Sequence, residues 1–194
     1  MIKAYYTVEL RNNKGKTLKR KKYKSHSFLK QFAQMLYCIL GTTFNSSCPS
    51  QSVLDVNGAA RTYPYCTQAF NVTVPTCDIN LTTAGIVIGT GSTANTVDTY
   101  KLASLLTSGI SVLRTERIAP SVSDNSITFG LKKEFRNLTG STQYISEVGI
   151  YARADDSGGA IRDFCIVRDV LPEPIEFPNG YILTITYNFT ITVS

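Results

Sequence analysis

The sequence predicts a mainly β fold, an antiparallel β-sandwich with one amphipathic α-helix near the amino terminus and a loop-rich insertion. Three observations lead there. The segment Tyr181 to Val193 alternates, with Tyr181, Leu183, Ile185, Tyr187, Phe189, Ile191 and Val193 on one face and Thr184, Thr186, Asn188, Thr190 and Thr192 on the other, Ile182 being the exception. The composition leans toward Thr, Ser, Val, Ile, Tyr and Asn, with no Trp and one His, which favours strands joined by polar turns. Turn signatures such as Asn12-Asn13-Lys14-Gly15 and Asp155 to Gly159 fall between alternating runs. At 194 residues the chain reads as one domain over 1–194, with 42–83 as the insertion.

Taken in order, Ile2 to Leu10 alternates as a strand, and Thr17 to Tyr23 returns as the second strand of a hairpin. The amino-terminal MIKAYYTVEL therefore reads as a strand and not as an export signal. Ser25 to Leu40 predicts a helix, since Phe28, Leu29, Phe32, Met35, Leu36, Ile39 and Leu40 recur at three- and four-residue spacing. Ser25 or Ser27 can cap it, His26 reads as a polar cap residue, and Gly41 stops it. From Thr42 to Thr83, Pro49, Gly58, Pro64 and Pro75 interrupt any periodicity, with two short strands expected at Ala69 to Val74 and Asp78 to Leu81. Strands follow at Gly109 to Arg117 and Ser126 to Arg136 around a turn at Pro120 to Asn125. Asn137 to Thr142 is a polar loop, and Glu147 to Arg153 and Ile161 to Asp169 form a hairpin around the acidic turn. The last strand, opened by Pro178-Asn179-Gly180, is long enough to close the sandwich and reach beyond it to a neighbouring subunit.

The stretch Gly85 to Leu106, GIVIGTGSTANTVDTYKLASLL, admits two readings. Ile86 to Ile88 followed by Gly89, Gly91 and Ala94 fits the loose glycine pattern of a dinucleotide-binding turn. That turn must open a helix within a series of βαβ units, whereas here Ser92 to Tyr100 is poor in helix formers and strands follow. The favoured reading is a core strand that turns sharply into a surface loop, pinned back by Tyr100, Leu102, Leu105 and Leu106.

Chemistry is sparse. One histidine excludes His-rich metal sites, no G-x-S-x-G marks a nucleophile, and no Gly-Lys-[Ser/Thr] completes a phosphate loop. No catalytic residue, metal or cofactor is expected. The cysteines Cys38, Cys48, Cys66, Cys77 and Cys165 contain no C-x-x-C pair and read as reduced, buried thiols, with one disulfide among Cys48, Cys66 and Cys77 left open. No apolar run is long enough for a membrane helix. The net charge of +6 is local: Lys14, Lys16, Lys19, Arg20, Lys21, Lys22 and Lys24 supply seven positive charges in eleven residues, leaving −1 for the rest. A lysine-protected edge strand is the favoured reading of this run, because no aromatic beyond Tyr23 is interleaved with it. A contact with nucleic acid or an acidic protein is the sharper one.

Three blocks carry a resemblance. IVIGTGSTANTVDTYKLASLL, SEVGIYA and RDVLPEPIEFPNGYILTITYNFTITVS, in that order, resemble segments of a broad group of tailed-bacteriophage and prophage virion proteins, and SFLKQFAQMLY resembles their amino-terminal helix block. The resemblance covers about half of the chain; the insertion 42–83 departs from it. It implies a structural component of a virion, in the tail, neck or baseplate, made in the bacterial host cytoplasm and assembled in many copies against other virion proteins. A capsid-decoration or head-fibre protein, a nucleic-acid-binding module using residues 14–24, and a host-binding adhesin are the alternatives. The expected contact residues are the basic arm named above together with Gly89, Gly91, Asp98 and Tyr100.

Overall fold

The computed structural model describes residues 2–25, 28–40, 51–63 and 80–192. Along the chain the elements are β1 (Ile2–Arg11), β2 (Thr17–Ser25), α1 (Lys30–Leu40), β3 (Gln51–Leu54), β4 (Ala60–Tyr63), β5 (Gly85–Gly89), β6 (Ile110–Ser123), β7 (Ser126–Asn137), β8 (Gln143–Asp155), β9 (Ile161–Phe177) and β10 (Ile182–Thr192). They build a five-stranded sheet in the order β2-β1-β10-β7-β6, a three-stranded sheet β5-β8-β9 and a small hairpin β3-β4, all antiparallel.

The period-two alternation decides what lies between the two larger sheets. Val8 and Leu10 of β1 and Leu183 and Ile185 of β10 meet Ile86 and Ile88 of β5, Val148 and Ile150 of β8 and Ile175 and Phe177 of β9 in one core. Each such buried side chain is worth roughly 1.5–3 kcal/mol against exposure. The residues whose alternation predicted strands in β1, β8 and β10 thus hold the sandwich, joined by Ile86 and Ile88 of a continuous apolar run and by Ile175 and Phe177, which lie past the expected end of β9 at Asp169. A second cluster joins Met35 of α1 and Val53 of β3 to Ala152, Ala154 and Phe164.

Several boundaries differ from the expectation, each for a local reason. The helix starts at Lys30 and not at Ser25, because Ser25 ends β2 and Phe28 bridges Val167 while Leu29 N–H donates to Ile166 O at 3.0 Å. Ser25 caps nothing; its hydroxyl donates to Asp169 Oδ2 at 2.8 Å. His26, Ser27, Gly41, Cys48, Cys66, Cys77 and the expected strand Ala69 to Val74 lie outside the described residues, as does the first half of Asp78 to Leu81, whose second half, Asn80 and Leu81, is a bend and not a strand. The insertion contains a hairpin, β3-β4, where irregular chain was expected.

β6 runs through Pro120 to Ser123, so the turn shrinks to Asp124-Asn125, with Asp124 at φ 46°. Pro120 is tolerated because β6 is an edge strand and its register shifts between Ile118 and Ser121. β9 likewise passes Pro172 and Pro174: Glu147 pairs with Val170 and Ile145 with Ile175, so residues 171–174 bulge out of the ladder. β10 does not reach past the sandwich; it is the central strand, paired with β1 and β7 along its length.

One turn recurs three times. Asn12 Oδ1 accepts from Lys14 N–H and Lys16 N–H, Asp55 Oδ1 from Asn57 and Ala59, and Asp156 Oδ1 from Gly158 and Ala160. In each, the glycine three residues on sits at positive φ (Gly15 80°, Gly58 80°, Gly159 73°), which matches the three-residue hairpin loop with a glycine bulge. The last two add an arginine six residues on, with Arg61 Nε on Asp55 Oδ2 and Arg162 Nε on Asp156 Oδ2, both at 2.8 Å. The acidic turn is thus a plain turn whose carboxylate is occupied.

Lys133, wholly buried on the inner face of β7, donates to Leu81 O at 2.5 Å and Ala84 O at 2.6 Å, fastening the approach to β5 onto the opposite sheet. Burial pushes its ammonium down to about 8 from 10.5. Between these values the unfolded chain retains a proton that the folded chain has released, so stability rises with pH from about 8 toward 10. Burial raises Cys165, Tyr6, Tyr151 and Tyr187, with Asp169 adding to the shifts of Tyr6 and Tyr187. The unfolded chain therefore loses the thiol proton first from pH 9, opposing the lysine's gain, and the tyrosine protons first above pH 10, where stability falls. Urea titrations across this range are expected to peak between those limits, and Lys133→Met is expected to remove the rising limb while leaving the falling one.

Candidate functional site

The loop that leaves β5 is organised by a side chain the glycine pattern does not reveal. Glu147 of β8 points away from the inter-sheet core and is fully buried. Its Oε1 accepts from Gly91 N–H at 3.1 Å and Ser104 N–H at 2.7 Å, and its Oε2 from Ala103 N–H at 3.0 Å and Arg168 Nε at 2.7 Å. Arg168 of β9 uses its other nitrogens on Asn95 Oδ1 at 2.5 Å and Thr93 O at 2.7 Å, and Asn95 Nδ2 returns to Arg168 O at 2.6 Å. Both ends of the loop and its middle are thereby tied to one buried ion pair.

The two glycines follow from this geometry. A Cβ at Gly89 would lie 2.5 Å from Ser104 O and 2.6 Å from Glu147 Oε1, and one at Gly91 would lie 2.6 Å from both Glu147 Oε1 and Ala103 Cβ. Only residues without a side chain let the loop approach the carboxylate this closely. The amide cradle that a phosphate would need is filled by the protein's own anion, which removes the dinucleotide reading on physical grounds.

The return leg is pinned as expected. Leu102 is buried against Val87, Tyr151 and Cys165, and its N–H donates to Tyr151 Oη at 2.8 Å. A Cβ at Gly149 would fall 2.7 Å from Leu102 Cδ1, so the leucine sits directly on that glycine. Leu105 pairs with Gly89, Leu106 N–H donates to Ile88 O at 3.0 Å, and Tyr100 rests against Gly58 of the β3-β4 turn. Asp98 is exposed in the outer bend, beside Val97, which is 73 % exposed.

The basic arm does not form one patch. Lys14 and Lys16 are exposed at the β1-β2 turn. Beyond it, alternation sends Lys19 and Lys21 toward β9 and Arg20, Lys22 and Lys24 to the outer face of the sheet. Lys21 Nζ meets Glu173 at 2.6 Å, raising the lysine and lowering the carboxylate through their hydrogen bond, and Arg20 lies 3.7 Å from Glu9. Tyr23, the aromatic within the run, turns inward and stacks on Tyr6 at 5.1 Å.

Arm and loop do meet, across a cleft of about 410 Å³ lined by Tyr23, Lys24, Ala94, Asn95, Asp169 and Pro172. Asp169 forms part of that lining, and its Oδ2 accepts from Ser25 Oγ and from Tyr187 Oη, the latter at 3.1 Å. The expected contact residues thus fall into two groups, with Gly89 and Gly91 at the buried base of the loop and Asp98 and Tyr100 on its outer part, while Lys24 alone of the arm reaches the cleft. Glu147, Arg168, Asn95, Tyr151 and Asp169 were not foreseen. The available signal was a charge inside an apolar run, Glu147 within ISEVGIYA and Arg168 within IVRDVL.

No family model matches this chain, and no curated protein or solved structure matches it.

Glu147→Gln is expected to cost about 3–5 kcal/mol by leaving Arg168 buried without its counter-ion. Gly91→Ala is expected to cost about 1–3 kcal/mol by forcing the loop off the carboxylate. Losses below about 0.5 kcal/mol for both in urea titrations would show that the loop does not depend on this anchor.

Proposed function

We propose that the protein is a structural subunit of a tailed-bacteriophage particle, in its tail, neck or baseplate, acting by homo-oligomeric assembly and by contacts with other virion proteins. The observation that carries this reading is the loop Thr90 to Lys101. Its base is locked by a buried ion pair while its outer part, around Val97 and Asp98, stands exposed. A loop already ordered before contact gives up little conformational entropy on binding, which suits a surface repeated in many copies.

The resemblance to virion proteins supports the same reading through its residues. Gly89 and Gly91, Glu147 with Gly149 and Tyr151, and Arg168 come from three separate blocks, and all of them converge on this loop. A binding role is also consistent with what fills the amide cradle, since Glu147 leaves it no vacancy for a substrate anion.

Light scattering on the purified full chain is expected to give a multiple of the 21.3 kDa subunit mass. Val97→Asp is expected to weaken that assembly, or co-sedimentation with other virion proteins, without altering the circular dichroism spectrum. A wild-type protein that stays monomeric at high concentration and associates with no virion component would overturn the proposal.

A further inference from the structure

Folding places on the outer face of the five-stranded sheet a set of charges that the sequence scatters. A chain of ion pairs crosses that face: Arg20 to Glu9, Glu9 to Arg11, Arg11 to Glu134, Glu134 to Lys132, Lys132 to Glu116 and Glu116 to Arg114, at separations of 2.6 to 3.9 Å. This band is close to neutral. Beside it, at the end of the sheet formed by the start of β1 and the end of β2, lie Lys3, Lys22 and Lys24, none of them in an ion pair with a described residue. They surround Tyr5. Lys24 is its direct cross-strand partner, Lys22 Nζ rests 4.8 Å from its ring centroid, and Lys3 is two residues away on the same face.

From Tyr5 a shallow hollow of about 460 Å³ runs across the sheet, lined by Lys3, Ser126, Thr190, Thr192 and the Asp124-Asn125 turn. Asp124 is the carboxylate in this lining. The aromatic that accompanies the cations is therefore Tyr5, from a different strand, and not Tyr23.

We infer that this face, Tyr5 with Lys3, Lys22 and Lys24, binds single-stranded nucleic acid. Lysines able to meet backbone phosphates and an aromatic ring on a flat sheet are the combination that holds a single strand without reading its sequence. A base stacking on Tyr5 would displace Lys22 from the ring toward the adjoining phosphate. A duplex fits less well, because a flat sheet face presents no element to enter a groove and paired bases cannot reach the ring. An acidic protein would satisfy the lysines but would make no use of the tyrosine.

Fluorescence anisotropy with a labelled oligothymidylate, titrated with the full chain at several salt concentrations, tests this. Binding is expected to weaken steeply with salt. The Lys22→Ala/Lys24→Ala pair is expected to lower the log–log slope by about 1.4. Tyr5→Thr, which suits an exposed strand position, is expected to weaken binding about tenfold, and Tyr5→Phe to restore it. Lys14→Ala/Lys16→Ala, at the far end of the hairpin, serves as the control. The inference is overturned by failure to bind at low salt, by losses confined to the control pair, or by equal affinity for polyglutamate with no effect of Tyr5→Thr, the last of which would assign the face to an acidic protein. The result does not depend on the oligomeric state, so it stands or falls apart from the assembly proposal.

Discussion

The Glu147 carboxylate is the constraint on which the rest of the upper surface depends. Removing two charges from water costs several kcal/mol per ion, and a buried pair is sustained only where the remaining hydrogen-bonding capacity is used. Here it is used. Three backbone amides and a guanidinium nitrogen satisfy Glu147, while Arg168 completes its set with Asn95 and Thr93. Such an arrangement contributes geometry more than net stability, because an apolar pair would hold the sheet as well but would let the loop slide. The path of the chain from Gly89 to Leu106, the two glycines and the position of Asn95 follow from it.

The same period of two that builds the sandwich distributes these constraints to both of its sides. On β9, Arg168 points outward to the loop and the next residue, Asp169, points inward to Ser25 and Tyr187 of the five-stranded sheet. One dipeptide therefore couples the loop to the opposite sheet. On β8, Glu147 faces the loop while Val148 enters the core, and Gly149 then leaves room for Leu102. A one-residue slip of either strand would bury the wrong side chain on both faces at once, which fixes the register strongly.

What was legible in the sequence was what depends on local pattern. The faces of β1 and β10, the Asn12 to Gly15 turn and the pinning role of Leu102 and Leu106 follow from alternation and spacing, and the mainly β antiparallel class follows from them. What was not legible depends on partners far along the chain. Phe28 and Leu29 fit a helical stripe yet stay extended because β9 offers them backbone partners. Pro120, Pro172 and Pro174 mark strand ends by local rules, but an edge position and a bulge absorb them. The DVNG turn of β3-β4 was missed although it repeats the side-chain logic of the acidic turn, because its flanking strands are only four residues long. Glu147 offered only an isolated charge in an apolar run, and its acceptors become visible once the strands are paired.

The basic run shows most directly why a linear charge count misleads in a β protein. Seven cations in eleven residues read as one patch, but a strand divides consecutive residues between two faces, and the two faces meet different neighbours. Lys21 is drawn to Glu173 on one side, Arg20 to Glu9 on the other, and Lys14 and Lys16 remain at the turn. On the outer face of the sheet, the cations of the run that enter no ion pair with a described residue are Lys22 and Lys24, joined by Lys3 from a strand whose charge seemed unrelated. The loop anchored by Glu147 covers the outer face of the three-stranded sheet, whereas these lysines lie on the outer face of the five-stranded one. The two surfaces belong to different sheets, and they approach each other where Lys24 borders the cleft shared with Ala94 and Asn95.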